Sequence, residues 1–337
     1  LPDGHGGAGA GNPVDTQNGY ATTYLWKEVL EPNNWMAVMG KFLATHVSEV
    51  KNAKGKAEIK KTLLFPRYHQ WDAVTRLVRA TLADKVGKSY LVQHSAGSGK
   101  SNTIGWLAHR LAVLHDAQDC KVFNSVIVIT DRKVLDSQLQ DTIAQFTNQD
   151  GAVANVTKGS AQLVKALNSE RGIIVTTLQK FPHILDNIQD MKDKKFAIIL
   201  DEAHSSQSGN YAITLHKALT KDSNGNNQII TAEDAINAEI KARVKPSNVS
   251  YYAFTATPKA ETIALFGSPS TCGAPPTPFH VYSMQQAIEE GFILDVLKGY
   301  TTYETAFKLE QIGQDPDVKA GRAKTWLARY AHLHPTS

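Results

Sequence analysis

Short apolar runs that alternate with helical patterns are the feature that most constrains the fold of this chain. The runs cover residues 89–93, 125–130, 172–176, 196–200 and 249–254. Each is rich in Ile and Val and apolar throughout, as expected of strands buried on both faces. Their alternation with helices indicates βαβ units. We therefore predict an α/β fold with a mostly parallel central sheet flanked by helices.

A Gly-rich loop follows the first apolar run and precedes a helical pattern that begins near Lys100. The loop consists of Ser95, Ala96, Gly97, Ser98, Gly99, Lys100 and Ser101. A strand, a glycine loop and a helix in this order are what a phosphate-binding loop requires, because the backbone N–H groups and the helix N-terminus then face the anion. In such a loop Lys100 would reach the β and γ phosphates of a nucleotide, and the Ser101 hydroxyl would bind Mg²⁺.

One residue departs from the usual phosphate-loop pattern. His94 stands where the pattern normally begins with Gly, so the match covers only the last part of the motif. Taken alone, the segment could instead be a Gly-rich turn with an incidental Lys-Ser pair.

Two adjacent acids follow another apolar run. Asp201 and Glu202 come directly after residues 196–200. Beside a phosphate-binding loop, Asp201 can hold Mg²⁺ through water, and Glu202 can orient and deprotonate an attacking water. The alternative is a plain strand end with solvated acids.

Two further segments suit the same site. Thr255 and Thr257 end the run at 249–254, where their hydroxyls can bridge to the acid pair. Residues 65–70 include Arg67, Tyr68 and Gln70 and precede the first helix of the domain. Gln70 can recognise an adenine edge and Tyr68 can stack on the ring. An N-terminal helix cap is the open alternative for this segment.

In this order the segments resemble the nucleotide-site motifs of superfamily 2 helicases and translocases, whose Asp-Glu-Ala-His subset is spelled out at 201–204. Residues 65–70, 93–101 and 251–259 resemble more narrowly the motor (HsdR-type) subunit of type I restriction-modification enzymes, over roughly residues 20–337. The resemblance implies a RecA-like domain that uses ATP and Mg²⁺, with Lys100, Asp201 and Glu202 as the catalytic residues. It implies coupling roles for His204, Thr255 and Thr257, and DNA contacts by Thr130, Asp131, Arg132, Lys133, Thr177 and Lys180. Either DNA segment can instead cap the helix that follows it.

The resemblance also implies partners. These are double-stranded DNA and the specificity and methyltransferase subunits of a type I complex. The family's complete subunit carries a nuclease domain and a second motor lobe with arginines facing the ATP, and neither is visible in this sequence. Because an arginine finger is worth roughly 10³ to 10⁵ in turnover, we expect slow hydrolysis by this chain alone. A strand-separating helicase and a non-hydrolysing ATP sensor remain alternatives.

Along the chain we expect a flexible linker at 1–18, a helical linker region at 19–66, a motor domain at 67–282, and at 283–337 the connection to a second lobe. In the helical region Pro32 breaks the pattern, with Asn33 or Asn34 placed to cap the second segment. The net charge of +4 is only mildly basic, and Cys120 and Cys272 lack the spacing of a disulfide framework. No apolar run has membrane-spanning length, so we expect a cytoplasmic protein without a membrane contact.

Overall fold

The computed structural model describes residues 23–51, 57–130, 143, 153–155, 166–167, 172–177, 191, 193–201, 247–269 and 275–294. The chain divides into two compact units, Leu1–Ile293 and Leu294–Ser337. All helices and strands with described bounds belong to the first unit. That unit continues past the boundary expected at 282/283. The expected linker at 1–18 lies outside the described residues.

A seven-stranded sheet forms the centre of the first unit, in the order β5-β6-β4-β7-β8-β3-β9. Every neighbouring pair in it is parallel. The strands are β3 (Ser89–His94), β4 (Ser125–Thr130), β5 (Val153–Asn155), β6 (Ile173–Thr177), β7 (Phe196–Leu200), β8 (Val249–Thr255) and β9 (His280–Tyr282). The five apolar runs thus become the five central strands, and the predicted parallel α/β sheet is confirmed.

The sheet is buried on both faces because alternate residues of each strand enter different cores. Val126 and Val128 of β4 pack in one core, whereas Ile127 and Ile129 pack in the other. The first core also contains residues of α2 (Tyr68–Asp84) and α3 (Lys100–Ala112), and the second contains Phe266 of α4 (Ala260–Phe266). This two-sided burial explains why the strands read as continuous apolar runs rather than as alternating ones.

Buried polar contacts fix the first core. The Thr81 hydroxyl of α2 donates to the Leu77 carbonyl and bonds the Tyr252 hydroxyl of β8, each at 2.7 Å. The indole N–H of Trp106 on α3 donates to the Phe42 carbonyl at 2.7 Å. Since buried polar groups need partners, these bonds hold α2, α3 and the residues before the sheet in one arrangement.

The segment before the sheet differs in part from the helical region predicted at 19–66. A short π-helix (Leu25–Val29) and α1 (Pro32–Lys41) are helical as expected. The prediction is wrong for β1 (Ala44–Lys51) and β2 (Ala57–Leu64), which form an antiparallel two-stranded sheet. The described side chains of β2 are exposed apart from Leu64, so its polar and Lys-rich pattern carries no alternation that would reveal a strand.

The start of α1 agrees with the prediction in one respect and differs in another. Pro32 separates two helical segments as predicted, and it is the first residue of the second, where its missing N–H has no intrahelical role. Glu31 rather than Asn33 or Asn34 caps the helix, because its carboxylate accepts the N–H of Asn34 at 2.9 Å.

Two short elements complete the unit. β9 extends the sheet beside β3, and α5 (Met284–Glu289) follows it, capped by the Ser283 hydroxyl on the N–H of Gln286 at 3.1 Å. β5 and β9 have three residues each, too few to show a pattern in the sequence. Within the described part of the chain, no helix is long and apolar enough to cross a bilayer.

Candidate functional site

The candidate site lies at the carboxyl edge of the parallel sheet. The loop at 95–99 follows β3, Asp201 follows β7, and Thr255 ends β8 between them. Because all three strands are parallel, these residues leave the sheet at the same edge, with β3 and β7 about 10 Å apart by ordinary strand spacing. Glu202 and His204, predicted for the same edge, lie outside the described residues.

The loop has the backbone conformation that an anion cradle needs. Gly97 and Gly99 have positive φ angles of 75° and 79°. An added Cβ would lie 2.9 Å from the Ile293 side chain at Gly97 and 2.7 Å from the Gln70 amide nitrogen at Gly99. Both positions therefore favour glycine for their conformation, and a Cβ at either one would also require the neighbouring side chain to shift. Gly99 also precedes α3, whose first N–H groups have no acceptor within the helix.

The carbonyl groups of the loop accept hydrogen bonds from Lys100 and from side chains of α2. The Lys100 ammonium donates to the carbonyls of His94 and Ser95, each at 3.2 Å. The Gln70 amide donates to the Gly99 carbonyl at 3.1 Å, and Nε2 of His69 bonds the Ser98 carbonyl at 3.1 Å. With these oxygens satisfied, the loop is kept in a fixed conformation by residues of α2 and by its own lysine.

Several hydroxyls at this edge are buried and have no hydrogen-bond partner in the part of the chain that the structure describes. They belong to Ser95 and Ser98 of the loop and to Thr255 of β8. A buried hydroxyl left without a partner costs about 1–3 kcal/mol, so it is normally paired. Two such groups in one loop, with a third at the end of the neighbouring strand, mark a place where a polar ligand would satisfy them.

Gln70 has a double structural role. Its side-chain oxygen accepts the N–H of Arg67 at 2.9 Å, which caps α2, while its nitrogen holds the loop at Gly99. The helix-cap alternative for residues 65–70 is therefore confirmed. Recognition of adenine by this amide remains a prediction.

Tyr68 and Arg67, which precede Gln70 in the sequence, also make contacts within the protein. The Tyr68 hydroxyl donates to the Glu28 carboxylate at 2.8 Å, and its ring lies edge-on to Tyr24 with centroids 4.6 Å apart. Burial raises the pKa of Tyr68, with the bond to Glu28 adding to the effect, so the hydroxyl stays protonated. The Arg67 guanidinium lies over the ring of Phe292.

Ser101 and Asp201 are the two residues predicted to hold Mg²⁺. Ser101 is the second residue of α3 and is exposed, and Asp201 is half-buried with its N–H bonded to the Ile129 carbonyl at 2.9 Å. Among the described residues no group of three or more His, Cys, Asp or Glu side chains could hold a metal. A phosphate-bound Mg²⁺ does not need such a group, because it is held by one or two protein oxygens together with phosphates and water.

The threonines at the strand ends are placed next to one another. Thr130 ends β4 and pairs in register with Thr177 at the end of β6. Thr257 lies just beyond β8 and is exposed. The remaining predicted DNA contacts, Asp131, Arg132, Lys133 and Lys180, lie outside the described residues.

Sequence reasoning missed a group of histidines behind the loop. His69 stacks on Tyr282 with ring centroids 3.8 Å apart, and His94 bonds His280, which bonds Asp72. Burial lowers the pKa of His69 to about 4, opposed by its bond to the Ser98 carbonyl. The only signal in the sequence was His94 itself, where a glycine is usual.

Comparison with known proteins identifies a family. The model of the family described as SWI2/SNF2 ATPase matches residues 69–324. Two type I restriction enzyme endonuclease subunits are similar to the chain, SsaAORF53P from Staphylococcus saprophyticus and SauCOLORF180P from Staphylococcus aureus. The first is 27% identical over 306 residues, covering 87% of this chain and 28% of the relative. The second is 29% identical over 278 residues, covering 80% and 26%. The chain thus spans about a quarter of the length of these relatives.

Solved structures with some likeness to the chain come from related systems. A fragment of an HsdR subunit of a type I restriction enzyme from Vibrio vulnificus is 14% identical, with a TM-score of 0.39, covering 83% of this chain and 50% of that one. A SWI2/SNF2 ATPase core from Sulfolobus solfataricus, in complex with dsDNA, is 15% identical, with a TM-score of 0.34, covering 58% and 34%. Both TM-scores are low, so the RecA-like fold is assigned from the parallel sheet itself and from the family match.

Proposed function

This chain belongs to the SWI2/SNF2 ATPase family, and from that premise we propose that it binds Mg-ATP in the loop at 94–101 and couples ATP hydrolysis to movement along double-stranded DNA. Its similarity to type I restriction enzyme endonuclease subunits supports a place in such an enzyme, beside specificity and methyltransferase subunits. The proposed setting is the cytoplasm.

The hydrogen bonding within the loop is the observation that supports the proposal of ATP binding. Its carbonyls form hydrogen bonds with Lys100, His69 and Gln70. The hydroxyls of Ser95 and Ser98, in contrast, are buried and have no partner among the described residues. A triphosphate would supply the acceptors that these hydroxyls lack and would draw the Lys100 ammonium from the loop carbonyls to its oxygens. Recognition of the base would fall to Arg67, Tyr68 and Gln70.

Asp201 and Glu202 would carry out hydrolysis, with Ser101 as a further ligand of the metal. Ser101 and Asp201 would hold Mg²⁺, which neutralises the phosphate charge, and Glu202 would orient and deprotonate the water. Thr255 would contribute its buried hydroxyl to the site, and with Thr257 and His204 would link it to the DNA-binding strand ends. Thr130 and Thr177, paired at the same edge, would contact one DNA strand together with Asp131, Arg132, Lys133 and Lys180.

The test of ATP binding compares two lysines at opposite ends of β3. Lys100→Ala is expected to weaken ATP binding, measured by calorimetry, by roughly 10- to 100-fold, since a charge-assisted bond is worth about 1.5–3 kcal/mol. Lys88→Ala, at the exposed residue before the strand, removes the same charge and is the control. Equal affinities of the two variants would exclude this loop as the nucleotide site.

The test of hydrolysis uses single-turnover conditions, with the protein in excess over labelled ATP, because we propose slow turnover by this chain. Wild type is expected to hydrolyse ATP faster when duplex DNA is added, and Glu202→Gln is expected to bind ATP but not hydrolyse it. No difference between the two proteins would favour an ATP sensor. Displacement of an annealed oligonucleotide by the wild type would favour a strand-separating helicase over a translocase.

A further inference from the structure

Three side chains from three elements form a hydrogen-bonded chain behind the loop. Nε2 of His280 on β9 lies 3.2 Å from the Asp72 carboxylate on α2. Nδ1 of His280 lies 2.9 Å from Nε2 of His94, the last residue of β3. We call this set the Asp72–His280–His94 chain. It joins the sheet edge to α2 at the point where the phosphate-binding loop begins.

The chain ends in a fully enclosed ring. His94 is 0% exposed, and its ring meets those of His69, Phe254 and Tyr282 edge-on. Its position in the fold is also fixed through the backbone, because the Ser95 N–H donates to the Tyr282 carbonyl at 2.9 Å. A side chain of this size at the first loop position must be accommodated by specific partners, whereas a glycine would need none.

The carboxylate sets the direction of the bonds. Burial by itself raises the pKa of Asp72, but the hydrogen bonds from His280 and from the Arg76 guanidinium hold that pKa below the ordinary value, so Asp72 is ionised and can only accept. Nε2 of His280 therefore donates. When both rings are neutral, Nδ1 of His280 must accept and Nε2 of His94 must donate. Burial also holds the pKa of His94 well below its ordinary value, which favours the neutral ring.

The ring of His94 is linked to the chemistry of the loop through its own backbone. The His94 carbonyl accepts from the Lys100 ammonium at 3.2 Å. A ring held in one rotamer supports the backbone of residue 94, together with the bond of the Ser95 N–H to Tyr282, and so helps to hold the carbonyl that the lysine contacts. Nδ1 of His94 is buried and has no hydrogen-bond partner among the described residues, so within this part of the chain the bond to His280 is the only hydrogen bond of its ring.

We propose that Asp72 and His280 are positioning residues for the nucleotide-binding loop, acting through His94. Asp72 selects the tautomer of His280, and His280 in turn holds the ring of His94, the residue directly before Ser95 of the loop. The proposal rests on the proposed binding of ATP at this loop, and it adds two residues that contact neither the nucleotide nor the metal.

The test is a double-mutant cycle read out as the dissociation constant for ATP, measured on the whole chain. His280→Asn keeps an amide oxygen at the δ position, where it can accept from His94 directly without help from Asp72. Asp72→Ala is expected to raise the dissociation constant about fivefold to tenfold in the wild-type background. In the His280→Asn background the same change is expected to have less than about a twofold effect. Thermal unfolding of every variant is measured in parallel.

Two controls separate the possible failures. Asp84→Ala removes a carboxylate on the same helix that bonds Tyr90 rather than the chain, and it is expected to leave ATP affinity unchanged. Lys100→Ala tests the proposed function itself. If Lys100→Ala weakens ATP binding as expected while Asp72→Ala acts equally in both backgrounds, or not at all, the positioning role is wrong and ATP binding stands. If Lys100→Ala binds as the wild type does, the proposed function is overturned and this inference with it.

A spectroscopic measurement needs no variant that could fail to fold. In protein labelled with nitrogen-15 in its histidines, the His94 ring is expected to carry its proton on Nε2, with Nδ1 unprotonated. The opposite tautomer in the folded wild-type protein would overturn the proposed direction of the chain.

Discussion

The side-chain amide of Gln70 joins the start of α2 to the carbonyl oxygen of Gly99, at 3.1 Å from its nitrogen. Its oxygen accepts the N–H of Arg67 at the same time. One buried side chain therefore couples the helix cap to the loop that we propose for nucleotide binding, and disturbing it should affect both stability and binding.

Gln70→Glu tests this coupling through pH. An ionised Glu can accept from Arg67 but cannot donate to the Gly99 carbonyl, whereas a protonated Glu can do both. Its pKa in the folded protein should therefore lie above the unfolded value of about 4.3. Stability is retained below the unfolded pKa and lost as the pH rises through the folded pKa. We expect a loss of about 1–3 kcal/mol at pH 8 in urea unfolding, shrinking toward pH 5.

The control for this prediction is Gln118→Glu, which introduces the same group at an exposed position. Its stability relative to wild type should change little across the same pH range. A pH-independent loss in Gln70→Glu would mean that the donor to Gly99 is unimportant.

Gly99→Ala should distort the loop. The φ angle of 79° costs an L-residue about 1–2 kcal/mol, and the new Cβ would approach the Gln70 amide nitrogen. We expect reduced stability together with weaker ATP binding. Gly40→Ala, in the last turn of α1 with nothing within 4 Å of the new Cβ, should instead stabilise the chain by about 0.4–1 kcal/mol. Thermal unfolding and ATP titration of both variants check the contrast.

Thr255→Val should lower ATP hydrolysis without lowering stability. The Thr255 hydroxyl is buried without a partner, so its removal should leave the free energy of unfolding unchanged or raise it by about 1 kcal/mol. ATP hydrolysis should fall, because we assign this hydroxyl to the site. Thr81→Val removes a hydroxyl with two partners and should destabilise the chain by about 1–3 kcal/mol. Equal losses of stability in the two variants would contradict the assignment.

His69 should make the chain sensitive to acid. Its pKa is lowered from 6.5 to about 4, chiefly by burial, so the unfolded chain binds a proton more readily than the folded one. The stability is therefore complete above pH 6.5 and declines as the pH falls toward 4, by up to about 3 kcal/mol. His69→Gln keeps a donor for the Ser98 carbonyl and cannot titrate. Urea unfolding between pH 4.5 and 7 should show a smaller decline in this variant, and equal declines would assign the acid sensitivity elsewhere.

Much of the sheet was predictable from the sequence because its strands are buried on both faces. Residues 125–130 and 196–200 match the bounds of β4 and β7, and α3 begins at Lys100 as predicted. The strands β1 and β2 were missed because their side chains are largely polar or exposed and leave no periodic signal. β9 was missed because three residues are too few for one.

The sequence by itself determined the Gly-rich loop between β3 and α3, the parallel sheet and the strand end that carries Asp201, since each follows from a local pattern of apolar residues, glycines and charges. Only the tertiary structure decided that β8 lies between β3 and β7, and that Asp72, His94 and His280 meet behind the loop. Strand order and contacts between residues so far apart in the chain depend on how the whole core packs. No local pattern encodes them.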